Sequence, residues 1–300
     1  MEQIGRPVKT PQVLAAPEAV ADYFQARFDD FASHLITILV RYSFFRFWDD
    51  FYFEEFEPFE WYHPYAMIRG IIRKYAAEDD LIINLGCGNS RLAEDMVEDG
   101  YENLMNIDFS RIVIQQMNEK FEDPEILAPA KCEFVQLDIT DMSVDPMANE
   151  IKRGIPNGTY DVALDKGTLD SMFTSEQADR IVKKALHEID RILKPDGVYI
   201  IMSYNTPDMM LPYLDSTDDV TDVEDFYGWE VSAHQIAKPT IDKNKIADLF
   251  DSRNTYFIYV CIKDEDRSAE KEKYRIFMEK QKLAGEEKGK RDKMKARGRK

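Results

Sequence analysis

From Leu81 onward the chain alternates short apolar runs with longer amphipathic segments, and this alternation constrains the fold more than any other feature. It is typical of parallel strands that are connected by helices. Five runs predict strands: LIINLG, LMNID, CEFVQLD, YDVALD and GVYIIMSYN. Three segments between them have the apolar spacing of helices: 90–99, 110–121 and 175–193. The sequence therefore predicts an α/β fold with a doubly wound, Rossmann-like sheet.

The alternation of strands and helices stops after Asn205. Two more apolar runs, WEVSAHQI and TYFIYVCIK, follow with no helix of clear periodicity between them. This favours an antiparallel hairpin that closes the edge of the sheet, so that seven strands are expected. A nicotinamide-binding fold would normally continue with another strand–helix unit instead.

The ends of the chain differ from this central region. Residues 1–45 hold three prolines and a helical-looking stretch, and we predict a partly helical N-terminal extension there. One domain is expected over 46–263. Residues 264–300 form a charged tail that is predicted to be disordered or helical. Its basic end offers at most a weak electrostatic contact to nucleic acid.

The formal net charge of -18 predicts a partner that is basic rather than a nucleic acid. The three cysteines, Cys87, Cys132 and Cys261, stand far apart, and the four histidines are scattered, so no metal site is expected. The start of the chain has no pattern of a secretory signal, and the early apolar run 35–40 is too short to span a membrane. These features predict a cytoplasmic protein that makes no membrane contact.

A glycine turn follows the first predicted strand. Gly86 and Gly88 would let the backbone approach a ligand, and Asn89 and Ser90 can cap the next helix. Alone, such a pattern is weak evidence, and a tight turn that binds no ligand is the alternative. Arg91 occupies the place where the third glycine of a dinucleotide motif would pack against a pyrophosphate. The turn therefore predicts a ligand without a pyrophosphate.

Acidic residues end the next strands. Asp108 stands twenty residues after Gly88, where a carboxylate can accept both ribose hydroxyls of an adenosine, although it could also cap the helix from Ser110. Asp138 is placed to accept from an adenine amino group while Ile139 packs on the ring, and either residue could instead only form a turn. An adenosine cofactor without a pyrophosphate favours S-adenosylmethionine.

The fourth strand ends in DKGTLD, and the carboxyl ends of strands are where ligands bind in open α/β sheets. Asp165 and Asp170 are the candidate catalytic acids nearest a methyl acceptor, with helix capping as the alternative for Asp170. Methyl transfer from a sulfonium needs positioning and a deprotonated acceptor nitrogen more than a strong base. Acidic and aromatic side chains suit a lysine acceptor because they attract its ammonium.

Four motifs, FEWYHPY, LGCGNS, NIDFSRIVIQQM and DKGTLD, resemble the elongation factor 1-alpha lysine methyltransferase family of class I seven-strand methyltransferases, to which the N-terminal domain of methyltransferase-like protein 13 belongs. The resemblance covers 47–263. It implies S-adenosylmethionine-dependent methylation of lysine on elongation factor 1-alpha. FWDDFY resembles an aromatic element of the family. The cofactor contacts that the resemblance implies are Trp48, Tyr52, Trp61, Gly86, Asp108, Phe109, Asp138, Ile139 and Lys166.

Two other functions remain open from the sequence. One is methylation of a small molecule or a nucleic acid, which the acidic composition and the lack of an Asn/Asp-Pro-Pro-Tyr element disfavour. The other is a binding protein without catalysis that keeps the same fold. The acidic loop 215–225 would steer a basic protein surface, or would simply be a solvated loop.

Overall fold

The structure is a computed structural model, and it describes residues 44–54, 57–122, 131–143, 154–175, 177–215, 227–238 and 254–264. The helix predicted in the first 42 residues, most of the acidic loop 215–225 and nearly all of the basic tail lie outside the described residues.

The described strands form one seven-stranded sheet in the order β3-β2-β1-β4-β5-β7-β6. The strands are β1 Leu81–Leu85, β2 Asn103–Asp108, β3 Lys131–Gln136, β4 Tyr160–Lys166, β5 Leu193–Ser203, β6 Trp229–Ala237 and β7 Thr255–Lys263. The first five strands are parallel to one another, whereas β7 is antiparallel to both β5 and β6. The predicted α/β class, the seven strands and the antiparallel pair are confirmed.

The described helices connect and cover these strands. They are α1 Phe44–Glu54, α2 Tyr65–Tyr75, α3 Leu92–Glu98, α4 Arg111–Phe121, α5 Thr168–Phe173, α6 Ala178–Ile192 and α7 Pro207–Leu214. Of these, α3, α4 and α6 agree with the three predicted helices. The helix α1 crosses the boundary that we placed after residue 45.

Both faces of the sheet are buried, which explains why its strands are nearly continuous apolar runs. Side chains alternate between the faces: Ile83 and Ile201 pack with α5, α6 and α7, whereas Ile82 and Ile200 pack with α2 and α3. On α6 the fully buried residues follow helical spacing, and they are Val182, Ala185, Leu186, Ile189 and Ile192. Each large aliphatic side chain buried in this way contributes about 2 kcal/mol.

The strand order places a crevice at one edge of the sheet. The chain winds outward from β1 to β3 in one direction and from β4 to β5 in the other, so the order reverses between β1 and β4. The loops that follow β1 and β4 therefore leave the sheet on opposite sides and open a crevice between them. Ligands of open α/β sheets bind in such a crevice, at the carboxyl ends of the strands. The helix α1 packs over this edge, against α4 and the loop after β1.

Candidate functional site

The loop after β1 requires glycine at two positions. Gly86 and Gly88 have φ values of +62° and +53°, which favour glycine. A Cβ at Gly86 would lie 2.2 Å from Oγ1 of Thr168, which donates a 2.7 Å hydrogen bond to the carbonyl of Leu85. A Cβ at Gly88 would lie 2.7 Å from the hydroxyl of Tyr52. The loop is therefore a close-packed backbone cradle beneath the first helix.

Asp108 joins this loop to the end of β2. Its carboxylate accepts hydrogen bonds from the amides of Gly88 at 3.1 Å and Ser110 at 2.9 Å. The side chain of Ser110, and not that of Asp108, caps α4 by accepting from the amide of Val113 at 3.4 Å. Burial raises the pKa of Asp108 to about 6. Since each carboxylate oxygen can accept more than one bond, Asp108 keeps capacity for ribose hydroxyls.

Aromatic residues of α1 cover the cradle. Trp48 and Tyr52 are buried, their rings are stacked with centroids 5.8 Å apart, and Trp61 lies edge-on to Trp48 at 6.2 Å. The predicted cover residues thus lie together above the glycine loop. Composition alone would place such residues in an ordinary core, so the motif FWDDFY was the signal that identified them.

Polar contacts bind α1 to α4. The hydroxyl of Ser110 donates to Oδ1 of Asp49 at 2.6 Å, and Nε2 of Gln116 donates to the carbonyl of Tyr52 at 2.8 Å. The first helix is therefore attached to the helix that follows β2, with Asp108 between them.

Glu60 attaches the segment between α1 and α2 to the same site. Its carboxylate accepts from the hydroxyl of Ser90 at 2.8 Å, from the amide of Arg91 at 2.5 Å and from Nζ of Lys166 at 2.8 Å. Lys166 also donates to the carbonyl of Trp61 at 3.1 Å. The Lys166 side chain is 7% exposed and that of Glu60 is 19% exposed. Sequence analysis gave Lys166 a contact with the cofactor by resemblance, and it missed Glu60.

Asp165 organises the turn after β4. It accepts from the amides of Thr168 at 2.8 Å and Leu169 at 3.0 Å, which begin α5, and from the hydroxyl of Tyr199 at 3.0 Å. Burial, reinforced by the nearby charge of Asp170, raises the pKa of Asp165 to about 7. The carboxylate is thus fully engaged with internal donors and acts as a cap of α5.

Asp170 joins three separate segments of the chain and is only 2% exposed. It accepts from the hydroxyl of Tyr62, from the hydroxyl of Ser203 at 2.5 Å, from the amide of Tyr204 at 3.0 Å and from the side-chain amide of Asn205 at 2.8 Å. Burial raises the pKa of Asp170. The side chain of Asp170 does not cap α5, because all four of its hydrogen-bond donors come from outside that helix.

The remaining predicted residues follow β2 and β3 at the same edge. Oδ1 of Asp138 accepts from the amide and the hydroxyl of Thr140, both at 2.8 Å, so the turn-forming role that we considered is present. Ile139 is buried in the core, and Phe109 packs against the aromatic cover. Their contacts with a cofactor stay predictions.

Sequence analysis missed Tyr62, Ser203, Tyr204 and Asn205. The first lies in FEWYHPY, which was quoted only as a motif, and the others end the fifth strand. The end of a parallel strand was the signal that could have found the last three, because ligands of such sheets bind there.

Within the described ranges, no group of three or more His, Cys, Asp or Glu side chains could hold a metal ion. Of the helices that the structure describes, none is sufficiently long and apolar to cross a membrane.

Relatives of known name match this chain over its central region. The eEF1A lysine and N-terminal methyltransferase of Homo sapiens is 29% identical over 194 residues, covering 64% of this chain and 25% of that protein. Its Danio rerio counterpart is 34% identical over 160 residues, covering 52% and 21%. EEF1A lysine methyltransferase 4 of Mus musculus is 28% identical over 172 residues, covering 54% and 61%. This chain spans about a quarter of the length of the first of these relatives.

A solved methyltransferase from Methanosarcina mazei overlays with a TM-score of 0.42 at 16% identity, covering 65% of this chain and 97% of that one. Residues 77–281, about two thirds of the chain, match the family model described as a methyltransferase domain. The resemblance indicated by the four sequence motifs is confirmed, and the chain belongs to the methyltransferase domain family.

Proposed function

We propose that this methyltransferase uses S-adenosylmethionine to methylate a lysine side chain of a basic protein, with elongation factor 1-alpha as the expected target. The observation that carries the proposal is the contact between the amide of Gly88 and the carboxylate of Asp108 beneath the aromatic cover. It brings a nucleoside-binding acid and a glycine loop to the edge of the sheet where β1 and β4 diverge.

The residues present fit an adenosine cofactor. Only glycine at position 88 leaves room for the hydroxyl of Tyr52 over the loop, and Asp108 is buried yet can accept further hydrogen bonds from ribose hydroxyls. Asp138 and Ile139 stand at the end of β3 for the adenine, as the sequence predicted. The other residues that would hold the cofactor are Trp48, Tyr52, Trp61, Gly86, Phe109 and Lys166. When bound, S-adenosylmethionine supplies a methyl group on a sulfonium.

The protein's own part in the reaction is to position the acceptor nitrogen and exclude water from it. Asp165 holds the start of α5, and Asp170 holds the turn after β5 against the cover segment. Asp165 lies near the end of β4, and Asp170 lies in α5, which follows that strand. We assign them the shaping and the negative charge of the acceptor site, which is what a reaction with no strong base requires.

A protein acceptor fits the charge and the relatives. The net charge of -18 favours a basic partner, and the relatives are named for methylating eEF1A. Action on a translation factor is consistent with the predicted cytoplasmic location.

The test is incubation of the full chain with labelled S-adenosylmethionine and cell lysate, followed by mass spectrometry of the labelled band. We expect one protein band near elongation factor 1-alpha, with the label on lysine. Asp108→Ala should abolish the label, because the nucleoside-binding carboxylate is lost. Label that appears only in RNA or in small molecules would contradict the proposal.

A further inference from the structure

Tyr62, whose hydroxyl donates to the buried carboxylate of Asp170, packs against two further tyrosines. The ring centroid of Tyr62 lies 6.4 Å from that of Tyr204 and 4.7 Å from that of Tyr256. They come from the cover segment, from the turn after β5 and from β7, and we call them the tyrosine rim. Tyr204 is 41% exposed, so the rim opens to solvent on one side.

Tyr62 is held in a conformation that an aromatic residue rarely adopts. Its φ is +64°, and among the described residues Asp196 is the other non-glycine with a positive φ. Such backbone costs about 1 kcal/mol or more and persists only where surrounding contacts enforce it. Here the hydroxyl donates to Asp170, and a Cβ at Gly167 would lie 3.2 Å from the ring. The position of this ring is therefore imposed by the DKGTLD turn.

Burial raises the pKa of the Asp170 carboxyl group beneath the rim, and its hydrogen-bond donors oppose that rise by stabilising the ionised form. The four donors to Asp170 are hydroxyl and amide groups, which stabilise the carboxylate without neutralising it. The hydroxyl edge of the Tyr62 ring points to this carboxyl group, and Tyr204 donates its backbone amide to it. Burial and the charge of Asp170 raise the pKa of both phenols, which keeps them protonated and neutral.

An ammonium of the chain itself lies against one ring of the rim. Nζ of Lys238, the residue after β6, lies 5.0 Å from the ring centroid of Tyr256. This is within the distance at which a cation is attracted to an aromatic face. The rim also adjoins the cofactor site, because Tyr62 follows Trp61, whose carbonyl accepts from Lys166.

We propose that Tyr62, Tyr204 and Tyr256, with Asp170 beneath them, form the acceptor mouth of the enzyme and select a cationic amine. The inference rests on the proposed function and names its specificity residues. The ammonium binds against the exposed ring of Tyr204 and loses a proton to water. The amine lone pair then forms the new N–C bond as the S–C bond breaks, with its electron pair passing to sulfur.

The selection of a cation can be tested without turnover. Choline and 3,3-dimethylbutan-1-ol have the same shape, but only choline carries a positive charge. Their binding to the full chain is measured by ligand-observed NMR. We expect choline to bind at least about fivefold more tightly. Equal binding of the two probes would overturn the proposal, whether or not the lysate experiment labels a protein.

Variants locate the preference on the rim. Tyr204→Leu removes an exposed ring but keeps the backbone amide that donates to Asp170, so it should remove most of the preference for choline. Tyr204→Phe should retain the preference. The matched control is Tyr75→Leu, on a tyrosine outside the site that also lies beneath an ammonium, that of Lys74, at 4.7 Å. A preference that survives in Tyr204→Leu, or that is lost in Tyr75→Leu, would contradict the assignment.

Kinetics provide the second readout. Tyr204→Leu should raise the KM for the protein acceptor roughly tenfold while leaving the Kd of S-adenosylmethionine unchanged. Tyr204→Phe should have a KM for the protein acceptor close to that of the wild type. An equal rise in both constants would indicate a general structural defect and would refute a role in acceptor selection.

Discussion

The ion pair between Glu60 and Lys166 should control how tightly the cofactor is held. The two charges are 2.8 Å apart and mostly buried, and Glu60 belongs to the segment that carries Trp61. Removing one partner of a buried pair costs about 3–5 kcal/mol, because the other charge is left without compensation. The Glu60 side chain is 19% exposed, so water partly compensates the charge that is left, and we expect a cost at the lower end of this range, about 3 kcal/mol.

This cost should fall on the cover segment rather than on the whole fold. Glu60→Ala also removes the acceptor for the hydroxyl of Ser90 and the amide of Arg91, which are the contacts that join the segment to the loop after β1. Local opening of such a segment is easier than global unfolding. If closure of the cover is required for binding, a cost of about 3 kcal/mol weakens binding of S-adenosylmethionine by roughly two orders of magnitude.

Isothermal titration calorimetry of four proteins measures the coupling: wild type, Glu60→Ala, Lys166→Met and the double variant. We expect the double variant to bind more tightly than Glu60→Ala alone, because no unpaired charge then remains buried. Effects of the two substitutions that simply add would refute the argument. They would indicate that Glu60 and Lys166 affect binding independently of each other.

Three further outcomes are expected. Gly86→Ala should prevent stable folding, as measured by circular dichroism, because its Cβ would lie 2.2 Å from the side chain of Thr168. The control Gly70→Ala in α2 places its Cβ in open space, with no atom within 4 Å, and should raise the free energy of unfolding by about 1 kcal/mol. Binding of S-adenosylmethionine should weaken about tenfold per pH unit below pH 6, because the pKa of Asp108 is about 6 and the protonated carboxyl group accepts hydrogen bonds from ribose hydroxyls poorly. A dissociation constant that does not change with pH would contradict this prediction. Arg69 and Arg73 hold the pKa of Asp99 below its usual value. The contribution of Asp99 to the stability of the folded protein is therefore present above about pH 4 and is lost as the pH falls through the lowered pKa. The difference in melting temperature between wild type and Asp99→Asn should therefore shrink in acid, and a constant difference would argue against the ion pairs.

The strands were predictable from sequence because both faces of the sheet are buried. A run such as LIINL is almost entirely apolar, which is typical of a strand that is buried on both faces. Such a run identifies a strand from only a few residues. The helix α5 spans six residues, which is less than two turns, and α7 contains Pro212, so neither has a periodicity that sequence can show. The helix α1 buries Trp48 and Tyr52, whereas its Phe53 is 66% exposed, so its aromatic content has no simple periodicity.

Part of the site was predictable for a different reason. Gly86, Gly88 and Asp108 act through local backbone geometry at strand ends, which leaves a pattern in neighbouring residues. Glu60 acts on Lys166 across 106 positions of the chain, and Tyr62 acts on Asp170 across 108. A glutamate and a tyrosine in an irregular segment have no periodicity, and only the fold decides which strand end they reach.

The two acids of DKGTLD show why residue type alone could not assign their roles. Asp165 is occupied by donors within its own turn and by Tyr199, so it stabilises the start of α5. Asp170 binds donors from the cover segment and from the turn after β5. It can therefore hold the two sides of the acceptor mouth together only while both segments are in place. We therefore expect closure of the cover over the cofactor and formation of the proposed acceptor mouth to be one event, because the Trp61–Tyr62 dipeptide belongs to both.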